Sequence, residues 1–338
     1  MKFGPVALAQ AEGGILAHSL RTDNLVLKKG ERLTRAHIEA LQAAGFADVV
    51  VAQLEPGDIS EDEAAARVAG AISGAHVRVD QAFTGRANLF AQCNGVLIAE
   101  PALIDALNDI DEQVTLATLA HHRAVVDGEM IGTVKVIPFA VAETTVARAI
   151  AAFPAQALRV APYQPKRIAV ISTLLPGLKP ATVEKTLRVM GERIAPAHAG
   201  IVADERVAHE QAALIAAIKK HIDACDMMIV FGASAITDRR DVIPASLLAA
   251  GGAIEQFGMP VDPGNLLLIG QIAGKAFLGA PGCARSPKEN GFDWVLQRML
   301  ADIPVTASDI RRMGSGGLLM EIVSRPQPRS GEASHGEE

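Results

Sequence analysis

The sequence predicts an α/β protein: a three-layer, mostly parallel sheet, preceded by a smaller α+β, partly barrel-like region. Three observations carry this. From Arg167 onward, apolar strand-like runs alternate with helical stretches. That alternation implies βαβ units, with helices covering both faces of a sheet. Before it, between residues 75 and 160, the strand and helix signals are less regular. Between the two halves, Arg159 to Pro165 (RVAPYQP) holds two prolines and reads as a boundary.

Each element follows in order. Thr34 can cap a helix carrying Ile38 and Leu41 at helical spacing, and Gly45 ends it. Asp48 to Ala52 reads as a strand. After the turn Leu54 to Asp58, Ser60 opens a second helix with Asp62 and Glu63 in its first turn. His76 to Asp80 alternates as a strand does. Glu112 to Val126 and Met130 to Phe139 read as two extended segments joined at Asp127-Gly128. Val141 to Phe153 reads as a helix stopped by Pro154.

The second half gives strands over Arg167–Thr173, Gly200–Ala203 and Asp226–Phe231, then a pair at Leu266–Ile269 and Ala276–Leu278. Helices are expected over Pro180–Arg193, Val207–Ala224, Asp241–Ala250 and Ser286–Leu300. The domain division is therefore 1–160, 165–325, and a polar tail, 326–338, expected to be disordered.

Composition excludes several classes. The net charge is −6, and no basic run exceeds two residues, which argues against a general nucleic-acid binder. Aromatics are only 4%, so the core must be aliphatic. Apolar runs fall well short of the roughly 18–20 residues of a membrane span. The three cysteines are far apart and show no zinc spacing, which fits a reducing compartment and a cytoplasmic protein.

In an open α/β sheet, ligands bind outside the carboxyl ends of the strands, beside helix N-termini. Four turns are expected there: Ser172 to Lys179, Asp204-Glu205-Arg206, Phe231 to Pro244, and Gly279 to Pro287. Small residues at Gly232, Ala233 and Ser234 let a ligand approach the backbone, and helix-start N–H groups attract phosphate. Asp204, Asp238 and Asp241 are candidate Mg²⁺ carboxylates; Arg239, Arg240, Arg285 and Lys288 are candidate anion partners. Asp241 is read equally well as a helix cap, Asp238 as an Asx-turn residue, and Asp204 as an N-cap. Neither a P-loop nor a GxGxxG fingerprint is present. Cys283 is a packing residue or a ligand contact, and His121-His122 reads as a solvated helix end. Thr84 to Asn88 is either a second polar site or a helix capped by Thr84.

Residues 167–310 resemble the molybdopterin-binding domain shared by molybdopterin adenylyltransferases and molybdotransferases. Ile201 to Glu205 (IVADE) looks like an IVPDE turn, and Gly232 to Ser246 (GASAITDRRDVIPAS) like a GGTG…PRDVTPEA segment. Gly279 to Pro287 (GAPGCARSP) looks like an LPGNP-type loop, and Val261 to Gly270 (VDPGNLLLIG) like an MKPGKP segment. Leu25 to Gln53 resembles the linker module ahead of that domain, giving a module over 15–55. The whole chain looks most like molybdopterin-binding proteins often fused to a cytidylyltransferase-like domain. The sequence departs from the family where a TGDE pattern is replaced by Thr173-Leu174-Leu175-Pro176 and an Asn by Cys283.

The resemblance implies a molybdopterin ligand, Mg²⁺, and ATP or CTP. It implies catalytic and metal roles for Asp204 and Asp241. It implies ligand contacts at Thr173, Gly232, Ser234, Thr237, Asp238, Pro263, Gly264, Pro281, Gly282, Cys283 and Ser286. It further implies a homo-oligomer acting in molybdenum cofactor biosynthesis, as a transferase or as a non-catalytic carrier. The recipient would be a cytidylyltransferase-like protein or an apo-molybdoenzyme.

Overall fold

Local capping starts the helices where the sequence expects them. Thr34 accepts the His37 N–H ahead of α1 (Arg35–Ala43), whose Ile38 and Leu41 are buried. Ser60 accepts the Glu63 N–H ahead of α2 (Glu61–Ile72), where three acidic residues meet the positive end of the helix dipole. The computed structural model describes residues 1–154, 156–177 and 179–319; the tail assigned to 326–338 lies outside them. The chain divides into two units, Met1–Cys93 with Leu97–Ala161, and Asn94–Val96 with the described residues from Pro162 onward.

In the first unit, β1 (Lys2–Ala7) and β2 (Asp48–Gln53) pair antiparallel, Lys2 opposite Gln53, and Ile15–Leu16 lies on the other edge of β2. The rest centres on β3 (Val77–Val79), β4 (Arg86–Ala91), β5 (Val114–Thr118) and β6 (Met130–Val136). They form an antiparallel sheet in the order β5–β6–β4–β3. Helix α2 packs its Ala64, Ala65, Val68, Ala69 and Ile72 onto that sheet, and α3 (Pro101–Asn108) and α4 (Glu143–Ala152) complete the same core. The described residues form separate small sheets here, not one closed barrel.

Three local expectations differ. The segment 112–126 is broken: Val114–Thr118 pairs with β6, while Ala124–Val125 joins a different small sheet. Thr84 caps no helix. With Gly85 it forms a two-residue turn at φ +51° and +70°, between the bridged residues Phe83 and Arg86. A Cβ at Gly85 would sit 2.6 Å from the Val136 carbonyl oxygen, which explains the glycine. His121 and His122 lie in a turn beyond β5, where His121 Nδ1 accepts the Ala99 N–H.

The second unit holds β7 (Arg167–Leu174), α5 (Pro180–Ile194), β8 (Gly200–Ala208), α6 (Gln211–His221), β9 (Met227–Phe231), α7 (Val242–Ala249), β10 (Ala253–Phe257), β11 (Leu268–Ile272), β12 (Lys275–Ala280) and α8 (Gly291–Leu300). The strands form one sheet in the order β8–β7–β9–β12–β11–β10. The pairings β8–β7, β7–β9 and β9–β12 are parallel; β12–β11 and β11–β10 are antiparallel. The sheet is thus mixed: β11 folds back on β12, and the strand Ala253–Phe257, unforeseen in the sequence, folds back on β11 at the edge. Side chains alternate across it. Ile168, Val170, Ile229 and Phe231 pack with α5 and α8, whereas Ala169, Ile171, Met228 and Val230 pack with α6 and α7.

One difference bears on the site. The strand expected over Gly200–Ala203 runs on to Ala208, so Asp204-Glu205-Arg206 lies inside β8 and forms no turn. Parallel pairing with β7 extends the strand, matching Val170 to Asp204 and Leu174 to Ala208.

Candidate functional site

The carboxyl ends of β7, β8 and β9 are tied together by one line of hydrogen bonds. Thr173, fully buried near the end of β7, accepts the Ala233 N–H at 2.9 Å. Its Oγ1 lies 2.7 Å from Nδ1 of His209, the residue just past β8. In this dry position Nδ1 is the acceptor within reach of the Thr173 hydroxyl. With Nδ1 as the acceptor, a ring proton is on Nε2. That Nε2 stands 4.0 Å from Oδ1 of Asp241.

Asp241 is the N-cap of α7. It accepts the Val242 N–H at 2.7 Å and the Thr237 N–H at 3.4 Å. The capping side chain keeps 21% exposure.

The structure places the other sequence-predicted residues as follows. Gly232 follows β9, where a Cβ would meet the Ser234 carbonyl oxygen at 2.5 Å; its own loop requires the glycine. Ser234 and Thr237 are exposed in that loop. Asp238 is exposed and holds Arg240 through side chain and backbone, so the guanidinium keeps its carboxyl below the usual range. Pro263 and Gly264 lie in the β10–β11 loop at the same sheet edge. The Pro263 carbonyl accepts the Gly291 N–H at 2.8 Å, and a Cβ on Gly264 (φ +141°) would come within 2.8 Å of Gly291. Both therefore dock the start of α8.

Pro281 leads a short 3-10 turn, Gly282–Arg285. A Cβ on Gly282 would meet open space, so packing does not demand that glycine. The Cys283 carbonyl accepts the Ser286 N–H, and Ser286 Oγ accepts the Lys288 N–H.

Asp204 is not brought to Asp241. It pairs with Arg206 at 3.4 Å, four residues before the end of β8, roughly 13 Å along a strand. Its register partner Val170 faces α5, whereas Thr173 is offset by an odd number of residues and lies on the opposite face. Among the described residues, no group of three or more His, Cys, Asp or Glu side chains is placed to hold a metal ion. The two carboxylates expected for Mg²⁺ do not form a joint site, and no chemical step is assigned to that ion.

Sequence reasoning missed three residues. His209 is a lone histidine with no partner at a recognisable spacing. Arg193, on α5, donates to the carbonyls of Ala284 and Ser286 and pairs with Asp293 on α8. Burial pushes the Asp293 carboxyl up while Arg193 pulls it back. Asn290, fully buried, caps α8 in a capping box with Asp293. Only the last left a sequence signal, Asn three residues before Asp.

Arg285 was foreseen as an anion partner. Its Nη1 donates to Thr186 Oγ1 at 2.7 Å, its Nη2 to the Gly232 carbonyl at 3.0 Å, and its Cζ lies 5.2 Å from the centroid of the Phe231 ring. Elsewhere on the unit, a cleft of about 580 Å³ includes Met227 and Lys275, at the starts of β9 and β12. It lies at the opposite edge of the sheet from the strand carboxyl ends.

The family model that matches covers residues 5–53 and is described as a domain of unknown function, DUF8806. No curated protein matches the chain. Among solved structures, the molybdopterin biosynthesis moeA protein of Pyrococcus horikosii is 13% identical, with 93% of this chain and 77% of that chain covered at a TM-score of 0.29. A molybdenum cofactor biosynthesis protein of Pyrococcus furiosus is 11% identical, with 89% and 64% covered at a TM-score of 0.26. A second moeA structure, from Pyrococcus horikoshii OT3, is 10% identical, with 89% and 74% covered at a TM-score of 0.27.

Proposed function

We propose that this chain binds molybdopterin at the strand-end edge of its second unit and acts in molybdenum cofactor biosynthesis. One observation carries the choice of site: the line from Ala233 through Thr173 and His209 to Asp241, which preorganises polar groups from three strand ends. The ligand class rests on the motif resemblance at Gly232 to Ser246 and Gly279 to Pro287.

The residues would act by positioning. Asp241 accepts from a donor on the ligand, and His209 Nε2–H donates across the 4.0 Å gap beside it. Thr173 is fully buried, so it orients His209 and does not attack a substrate. A phosphate-bearing ligand can bring Mg²⁺ on its own oxygens, and ATP or CTP would be the co-substrate of a nucleotide-transfer step.

A non-catalytic carrier is the second reading, favoured by the separation of Asp204 from Asp241. It would deliver the cofactor to a cytidylyltransferase-like protein or an apo-molybdoenzyme, as a homo-oligomer in the cytoplasm. No helix among the described residues is long and apolar enough to cross a membrane.

The test is titration of the protein with molybdopterin by pterin fluorescence, with and without Mg²⁺. Saturable binding that Asp241→Asn weakens about tenfold, or ~1.4 kcal/mol, supports the site. Unchanged affinity in a folded Asp241→Asn variant removes Asp241 from it. No binding at all removes the ligand. Release of pyrophosphate on adding ATP or CTP with Mg²⁺ separates transferase from carrier.

A further inference from the structure

The strand-end edge has two faces, and they differ in how their polar groups are matched. Toward α6 and α7, the Thr173–His209 contact is closed and Asp241 caps its helix. Toward α5, two polar groups are left without a match.

The first is Arg285. Its guanidinium is largely buried, and burial lowers its hold on its proton. Two of its N–H groups meet neutral acceptors, Thr186 Oγ1 and the Gly232 carbonyl. Thr186 has no more to give, since its own hydroxyl donates to the Thr182 carbonyl. Among the described residues, no ion pair includes Arg285. Arg193, the other arginine bonded to this loop, is by contrast neutralised by Asp293. A buried charge without a counter-charge is costly, and native proteins rarely carry one idle.

The second is Ser172. It is 1% exposed, and among the described residues its Oγ has no hydrogen-bond partner. It sits directly across from Phe231 in the β7–β9 register, so the two side chains share a face. Arg285 lies over that same Phe231 ring. The two unmatched groups thus flank one aromatic side chain.

We propose that Arg285 and Ser172 form an oxyanion subsite on the α5 face of the sheet edge, taking a phosphate group of the ligand. It rests on the strand-end edge being the binding site, but not on the ligand being a pterin. The guanidinium would supply charge and spare N–H donors, and the Ser172 hydroxyl one further hydrogen bond.

The experiment uses the full chain with inorganic phosphate and pyrophosphate as separate probes, read by calorimetric titration and thermal melting. Saturable phosphate binding is expected, with Arg285→Gln weakening it at least tenfold and Ser172→Ala about threefold. Stronger binding of pyrophosphate than of phosphate would assign the subsite to a diphosphate, and the reverse to a monophosphate ester.

Arg285→Met separates a ligand role from a structural one. If the arginine awaits an anion, the ligand-free variant melts higher than the parent by a few degrees and loses its response to phosphate. A lower melting point would mean that its bonds to Gly232 and Thr186 serve the fold, and would overturn the proposal. So would phosphate binding that survives Arg285→Gln. Phosphate binding without molybdopterin binding would keep the subsite and discard the pterin; molybdopterin binding insensitive to Arg285→Gln would do the opposite.

Discussion

Arg193 and Arg285 both engage the loop after β12, and they are built on opposite plans. Arg193 reaches that loop from α5, donates to two of its carbonyls and is neutralised by Asp293. Arg285 belongs to the loop, donates to two neutral oxygens and, among the described residues, forms no ion pair with a carboxylate. The first is a closed fastening. The second leaves charge and donors over. The comparison shows that burial of an arginine is not itself a sign of function; what counts is whether the surroundings finish the job.

The comparison breaks most readily at Arg193. Arg193→Ala leaves the buried Asp293 carboxylate without its counter-charge, facing only the Asn290 N–H, and the expected loss is ~3–5 kcal/mol in a denaturant melt. A loss below about 1 kcal/mol would show that the pair is no fastening. Its sign is opposite to the rise expected for Arg285→Met.

Thr173→Val comes next. It keeps the shape but removes the oxygen that serves Ala233 N–H and His209, at an expected cost of ~1–3 kcal/mol. Nitrogen-15 shifts of the His209 ring should move from the Nε2–H tautomer toward a mixture. An unaltered ring would mean that Thr173 does not set it.

The smallest effect concerns Asp226, which pairs with Arg167 through side chain and backbone, so that its pKa is lowered to about 2. A depressed carboxyl stabilises above its unfolded pKa, near 4, and that contribution is lost as pH falls toward 2. The pair is partly exposed, so Asp226→Asn should cost only ~0.2–1 kcal/mol at pH 7. The gap between variant and parent should vanish in melts near pH 2; a gap that persists there would point to lost packing.

What was legible in the sequence was local. Thr34 and Ser60 cap their helices because a cap needs only the next three residues. Asp241 was visible as a cap for the same reason. Asp204 was misplaced because β8 is extended by pairing with β7, and register with a distant strand leaves no trace in IVADE itself. His209 was invisible because its partners, Thr173 and Asp241, lie 36 residues before and 32 after it. The edge strand beyond the foreseen pair was missed because Ala253–Phe257 follows two glycines, is short and carries Glu255 and Gln256. Thr173 and Arg285 were singled out by their place in strand-end turns, but the residues they pair with, His209 and Thr186, were not.

The nine-residue strand Gly200–Ala208 lies at the end of the sheet order, with exposed Val202 and every second residue open to solvent. Its outer row of backbone N–H and C=O groups is a template on which another extended chain can zip up. The consecutive charges of Asp204, Glu205 and Arg206 sit in the middle of that template. A second copy laid on that edge in parallel register would set Asp204 against Asp204 and Glu205 against Glu205, and such like-charged pairs oppose that pairing.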